Sequence, residues 1–215
     1  MSNDYEPIKI GVGDKIINGD LKKVEGSSCI VLFAHGSGSG RHSSRNRYVA
    51  NNMIDHGLSV LLMDLLTEEE DRVDKMTREY RFNIPMLAER VANVKTWVRK
   101  REGLTDLNIG LYGSSTGSAA ALIAAAKRPE GVCAVVSRGG RVDLASDYLD
   151  QVRAPSLFIV GGKDRTVLDM NREAIKKLIV EKKLEIIPDA GHLFSEPGTL
   201  DEVTRLSINW FNEKC

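Results

Sequence analysis

Gly113-Ser114-Ser115-Thr116-Gly117 stands between an apolar run, Asn108-Ile109-Gly110-Leu111-Tyr112, and an alanine-rich one, Ser118-Ala119-Ala120-Ala121-Leu122-Ile123-Ala124-Ala125-Ala126. The first run reads as a strand and the second as a helix, so the five residues between them form a sharp turn with a serine at its apex. So tight a turn leaves no room for side chains at 113 and 117, where the chain places glycine. The apex residue is forced into strained backbone geometry that pushes the Ser115 hydroxyl out over the sheet edge. The bare G-x-S-x-G pattern is weak, since with 19 glycines in 215 residues about one shuffled chain in eight would carry it. Its surroundings give it weight.

Two polar residues downstream complete a pattern. The apolar run Pro155-Ser156-Leu157-Phe158-Ile159-Val160 is followed by Gly161-Gly162-Lys163-Asp164, and Leu184-Glu185-Ile186-Ile187 by Pro188-Asp189-Ala190-Gly191-His192. Asp164 and His192 each follow a strand, where loops at the C-terminal edge of a parallel sheet gather catalytic groups. The order Ser, Asp, His is that of α/β-hydrolases and differs from the other serine-hydrolase folds.

The rest of the chain agrees with such a sheet. Residues 8–12 and 16–24 read as two antiparallel strands, with Asn18-Gly19-Asp20 as a hairpin-turn signal. The run 29–34 is continuously apolar, as a strand buried on both faces requires. A helix over 45–56 closes at Gly57, and a buried strand follows over 58–66. Residues 68–81 are highly charged with little apolar periodicity. Leu87, Val91, Val94 and Val98 then mark a strong helix over 84–101. Strands are expected over 131–136, at 156 and over 183–187, with helical pieces over 144–149, 167–180 and 200–211. Strands alternating with helices predict an α/β class, with a mostly parallel central sheet flanked by helices on both faces. Length and composition fit one domain over 1–215, with antiparallel hairpin strands in 1–28 and a short lid loop over 67–83.

Composition excludes several partners. The 30 basic and 30 acidic residues cancel and are interspersed, whereas a nucleic-acid binder carries a basic face. The densest basic cluster, Lys95, Arg99, Lys100 and Arg101, closes a helix and complements its dipole. No apolar run reaches the roughly 18 residues of a membrane span. The start, Met1-Ser2-Asn3-Asp4-Tyr5-Glu6-Pro7, is polar and acidic, unlike a signal peptide. The three cysteines, Cys29, Cys133 and Cys215, read as buried or incidental thiols of a reducing cytoplasm. Neither they nor the four histidines are spaced for a metal, and no cofactor is expected. Oligomeric state is left open.

A serine hydroxyl needs a base within hydrogen-bond reach, and that base needs an orienting partner. His192 fits the first role and Asp164 the second, with Asp143 as the substitute acid. The amide of Thr116 opens a helix and can hold a developing oxyanion. The second donor is expected from His35-Gly36-Ser37-Gly38-Ser39-Gly40, with the Ser37 amide first and Gly36 next. His35 shapes that loop. The loop lacks both the G-x-G-x-x-G spacing and the Lys-Ser/Thr of a phosphate cradle. His42, Arg41 and Arg138 are candidate pocket residues; Arg45 and Arg47 also lie near strand ends and could face an anionic substrate. The plain alternatives are a helix cap at Ser115, a turn aspartate at 164 and surface ion pairs for the arginines.

Taken together, these residues resemble the dienelactone-hydrolase-like group of α/β-hydrolases, in particular its small members found alone or fused to phosphoribosyltransferase domains. The resemblance runs over about 16–211. It is carried by His35-Gly36-Ser37-Gly38-Ser39-Gly40-Arg41-His42-Ser43, by Arg45-Asn46-Arg47-Tyr48, by the turn at 113–117, by Ser137-Arg138-Gly139-Gly140-Arg141, by Gly161-Gly162-Lys163-Asp164 and by His192-Leu193-Phe194-Ser195-Glu196-Pro197-Gly198. It implies a sheet of about eight strands, no metal, and a Ser115, His192, Asp164 triad. Dienelactone hydrolases proper use a cysteine nucleophile, and here serine stands at 115. The expected activity is hydrolysis of a small ester or thioester through an acyl-enzyme. The alternatives are an acyl-transferase with the same triad and an inactive hydrolase-fold binding protein.

Overall fold

The computed structural model describes residues 4–215, so the expectation for residues 1–3 lies outside it. Strands β1 (Glu6–Val12), β2 (Lys15–Lys22), β3 (Cys29–Ala34), β4 (Ser59–Met63), β5 (Asn108–Ser114), β6 (Val132–Arg138), β7 (Ser156–Gly161) and β8 (Lys182–Ile187) form one sheet, in the order β1-β2-β4-β3-β5-β6-β7-β8. β1 pairs with β2 and β2 with β4 antiparallel, and the remaining pairs are parallel. The helices are α1 (Ser44–Asp55), α2 (Glu68–Thr77), α3 (Ile84–Lys100), α4 (Thr116–Lys127), α5 (Arg165–Ala174) and α6 (Thr199–Lys214).

Alternation along the buried strands divides the core. Ile30 and Leu32 of β3 face one layer with Val91 and Val94 of α3 and Ala120 and Leu122 of α4. Val31 and Phe33 face the other, with Val49 and Met53 of α1 and Ile208 and Phe211 of α6. A sheet covered on both faces needs apolar residues at every position of its central strands, and β3 and β4 are buried throughout. The parallel strands all end at one edge. The loops after β3, β5, β7 and β8 therefore meet there, and they carry Ser37, Ser115, Asp164 and His192.

Three local expectations are corrected. Asn18-Gly19-Asp20 lies within β2 and is no turn; the hairpin turns at Gly13-Asp14, with Gly13 at φ 71°. Gly19 is needed for packing, since a Cβ there would stand 3.0 Å from the side chains of Ile10 and Leu61. Residues 67–83 are no loop, since α2 occupies most of them. Its first turn is closed by a capping box, in which Thr67 Oγ1 accepts from the Glu70 amide and Glu70 from the Thr67 amide. Arg90 clamps Glu70 through two hydrogen bonds of 2.6 Å, and Arg81 Nε donates to Asp74 at 2.5 Å. Burial alone would raise the Asp74 carboxyl, but the Arg81 amide and guanidinium and the Tyr80 amide outweigh it and hold it below the usual range. Finally, the cysteines are not three free thiols. Cys133 and Cys215 form a disulfide, and only Cys29 is free.

Candidate active site

The turn after β5 has the shape its glycines require. Ser115 sits at φ 51°, ψ −121°, a region that side chains avoid. A Cβ at 117 would run into the Ala34 carbonyl, and one at 113 into the backbone of Ser118. The strained residue is held from both sides. Its amide donates to the Arg138 carbonyl at 3.1 Å, and its carbonyl accepts from the Arg141 amide at 3.0 Å.

His192 reaches this turn from the loop after β8. Its Nδ1 lies 2.6 Å from Asp164 Oδ2 and its Nε2 lies 3.3 Å from Ser115 Oγ. An ionised carboxylate only accepts, so the ring proton on that side belongs to Nδ1 and the Nε2 lone pair faces the serine hydroxyl. The His192 side chain is 37% exposed and that of Asp164 15%, so the ring is open to solvent while its partner is sheltered. The loop is tied down locally. The Lys163 amide donates to the Ala190 carbonyl at 2.9 Å, and the Gly191 amide to Glu196 Oε1 at 3.0 Å. Backbone amides, its own first and then that of Gly191, hold the Glu196 carboxyl below its ordinary range. Only its place four residues after His192 marks Glu196 in the sequence.

Asp143, the substitute acid, is elsewhere engaged. Arg141 donates to it through two hydrogen bonds of 2.9 and 2.8 Å. The loop after β3 passes directly over the serine, since a Cβ on Gly36 would stand 3.1 Å from the Ser115 Cβ. Gly36, Ser37, Ser115, Arg138 and His192 line one cavity of about 240 Å³. Thr116 begins α4, so its amide is among the four that lack an intrahelical acceptor.

Among the proposed pocket residues, Arg138 shares that cavity and Arg41 and His42 do not. These two line a neighbouring cavity of about 430 Å³ with Asp64, Glu68 and Lys75. The Arg41 guanidinium pairs with Asp64 and lies 3.5 Å from Asp20, and Arg47 pairs with Asp20, so both charges are spent within the protein. Arg45 takes a place in the serine cavity instead. Arg138 Nη1 and Arg45 Nε are buried without a partner among the described residues, while Arg138 Nη2 donates to Asn46 Oδ1 at 3.1 Å.

His35 supports the loop from below. It is buried, its Nδ1 donates to the Gly36 carbonyl at 2.8 Å, and its Nε2 accepts from the Leu65 amide at 2.9 Å. This pairing uses the neutral ring. Burial drives its pKa below the ordinary 6.5, against weaker opposing pulls from the Gly36 carbonyl and Asp64. The depressed value means that the unfolded chain binds this proton more readily. Stability is therefore fully present above about pH 6.5 and declines as pH falls from there toward the folded value. In His35→Gln, urea unfolding followed between pH 7 and 5 is expected to show a shallower pH dependence than in the unsubstituted chain.

Among the described residues, no helix is long and apolar enough to cross a membrane. The sequence matches the model of the dienelactone hydrolase family over residues 22–207. Two curated relatives from Mycobacterium tuberculosis, strains CDC 1551 and H37Rv, carry a phosphoribosyl transferase name and are 46% identical over 206 residues. That match takes in 96% of this chain and 46% of theirs, so the chain spans about half the length of these relatives. A dienelactone hydrolase from Anabaena variabilis is 48% identical, with a TM-score of 0.96 over 98% of this chain and 97% of that one. Est1E from Butyrivibrio proteoclasticus superposes with a TM-score of 0.80 over 97% of this chain and 98% of its own at 14% identity, a likeness of fold alone.

Proposed function

The chain belongs to the dienelactone hydrolase family, and from that premise we propose that it is a serine hydrolase acting on a small ester or thioester through an acyl-enzyme on Ser115. The observation that carries this reading is the continuous hydrogen-bonded path from Asp164 through the His192 ring to the Ser115 hydroxyl. His192 Nε2 takes the hydroxyl proton as Ser115 Oγ attacks the carbonyl carbon. Asp164 holds the ring's orientation and stabilises the imidazolium. The developing oxyanion is received by the Thr116 amide and by the loop after β3, through Ser37 first and Gly36 next. His192 then gives its proton to the leaving group. Water, activated by the same ring, releases the acid and restores the serine.

Position and charge of the cavity suggest the substrate's character. Arg138 and Arg45 bring two positive groups beside Ser115, each with a nitrogen that has no partner among the described residues. A buried, unpartnered guanidinium nitrogen is costly unless an anion completes it. The substrate we assign therefore carries a carboxylate or similar anion near its ester. In Arg138→Gln, kcat/KM for such an anionic ester should fall by about 10- to 100-fold, the worth of one charge-assisted hydrogen bond. The rate on a neutral ester of the same length should stay close to that of the unsubstituted chain. Equal losses on both substrates would remove the charge argument.

The test of the activity is labelling with a fluorophosphonate probe, which reports an activated serine irrespective of substrate. Labelling is expected in the folded chain, absent in Ser115→Ala and slow in His192→Ala. A folded chain that no probe modifies would instead be a binding protein on a hydrolase fold. Product that partitions to an added alcohol or thiol in preference to water would make it an acyl-transferase.

A further inference from the structure

Cys29, Cys133 and Cys215 are scattered along the sequence, yet their sulfurs lie within 4.8 Å of one another. Each arrives there for a structural reason. Cys29 opens β3, fully buried, and faces the α1–α6 layer. Between β5 and β6 the register shifts at Ile109/Gly110: Ile109 pairs with Val132 and Gly110 with Ala134, so Cys133 is the extra residue of a bulge. It turns toward the same layer as Cys29. The strand between them, β5, sets Asn108 opposite Cys29 and then Gly110, where a Cβ would stand 2.6 Å from the Phe211 ring. Phe211 is thereby seated on the sheet. Cys215, one helical turn further along, comes to Cys133, and its carbonyl accepts from Asn108 Nδ2 at 2.9 Å.

Two of the three sulfurs are joined as the Cys133–Cys215 disulfide, and Cys29 Sγ lies 3.9 Å from Cys133 Sγ. Cys29 is placed too far across the sheet to pair with Cys133. β5 separates its strand from that of Cys133, a spacing of about 9–10 Å across the sheet, whereas a disulfide needs Cα atoms within about 7 Å. A shared cation has no such limit. Two thiolates bound to one Zn²⁺ at about 2.3 Å stand about 3.8–4.0 Å apart for tetrahedral to trigonal angles. The separation of 3.9 Å falls within that range.

We propose that, once the Cys133–Cys215 disulfide is reduced, Cys29, Cys133 and Cys215 form a three-thiolate site for a thiophilic d¹⁰ cation of the Zn²⁺ and Cd²⁺ class. A dithiol reductant supplies the two electrons and two protons that open the disulfide and leaves as its own disulfide. Each of the three thiols then exchanges its proton for a bond to the cation. The partly exposed Cys133 and Cys215 provide the entry, and buried Cys29 closes the far side. The site lies at the opposite end of β3 from the Gly36-Ser37 loop, so it joins β3, β6 and α6 without touching the proposed chemistry.

The test is a Cd²⁺ titration of the whole chain after reduction with a phosphine and removal of the reductant under argon. Three thiols are first counted in a denatured aliquot, and circular dichroism establishes that the rest remains folded. One equivalent of Cd²⁺ is expected to bind, with a sulfur-to-cadmium charge-transfer band that stops growing at one to one. Cys29→Ser should keep the fold, lose band intensity in proportion to the missing sulfur, and yield its ion to a chelator that leaves the unsubstituted chain loaded. The oxidised chain should bind none. A folded, fully reduced chain that takes up no Cd²⁺ overturns the proposal. So does a Cys29→Ser chain that binds as well as the original, or a chain that unfolds on reduction.

Discussion

Replacing Ser115 with alanine is expected to lower kcat by about 10⁶, with KM and the fold little changed, because in comparable triads loss of the nucleophile alone removes nearly all that the triad supplies. Steady-state ester hydrolysis with circular dichroism as the control measures it. The residual rate should belong to the oxyanion donors and to binding. Adding His192→Ala to Ser115→Ala should then cost almost nothing more, since the two residues act as one unit. Ser115 is held at φ 51°, ψ −121°, and alanine keeps that strain while glycine relieves it. Ser115→Gly should be as inactive as Ser115→Ala and more stable than it by about 1 kcal/mol in urea unfolding. If the alanine chain retained most of its turnover, the nucleophile would lie elsewhere.

Asp164→Asn is expected to lower kcat by about 10⁴ near neutral pH, again with little change in KM. The cause is a tautomer. Asp164 Oδ2 accepts the Nδ1 proton of His192 at 2.6 Å, whereas an asparagine amide can donate to that nitrogen. Donation would leave the proton on Nε2, aimed at the hydroxyl it should deprotonate. Fluorophosphonate labelling of Ser115 should slow in step with turnover. Asp143→Asn is the matched control: Asp143 is engaged by Arg141, and its loss should leave kcat near that of the unsubstituted chain. A large loss in the control and a small one at 164 would exchange the two roles.

What could be read from the chain alone was whatever rests on local sterics and strand periodicity. The turn at 113–117 announces itself because only glycine fits beside Ala34 and Ser118, and the continuous apolar runs of β3 and β4 mark strands buried on both faces. Asp164 and His192 were placed by the rule that loops at the C-terminal edge of a parallel sheet converge. Features set by long-range contacts were hidden. Helix α2 buries almost no apolar surface; its fold depends on the Thr67–Glu70 cap and on Arg90 and Arg81, two arginines outside the helix. Asn18-Gly19-Asp20 looked like a turn because its glycine requirement is visible locally while Ile10 and Leu61, which impose it, are not. Arg41 and Arg138 are alike in sequence, and only the carboxylates of Asp20 and Asp64 distinguish the neutralised arginine from the one beside Ser115. The meeting of the three cysteines depends on a one-residue bulge, which no spacing rule reveals.

Intact-mass spectrometry of the chain quenched during turnover of an activated ester, followed by peptide mapping, tests the covalent step itself. The added mass should equal the acyl group, lie on the peptide containing Ser115, and decay when substrate is exhausted. An acyl group mapped to another residue, or rapid turnover that survives in Ser115→Ala, would contradict the assignment.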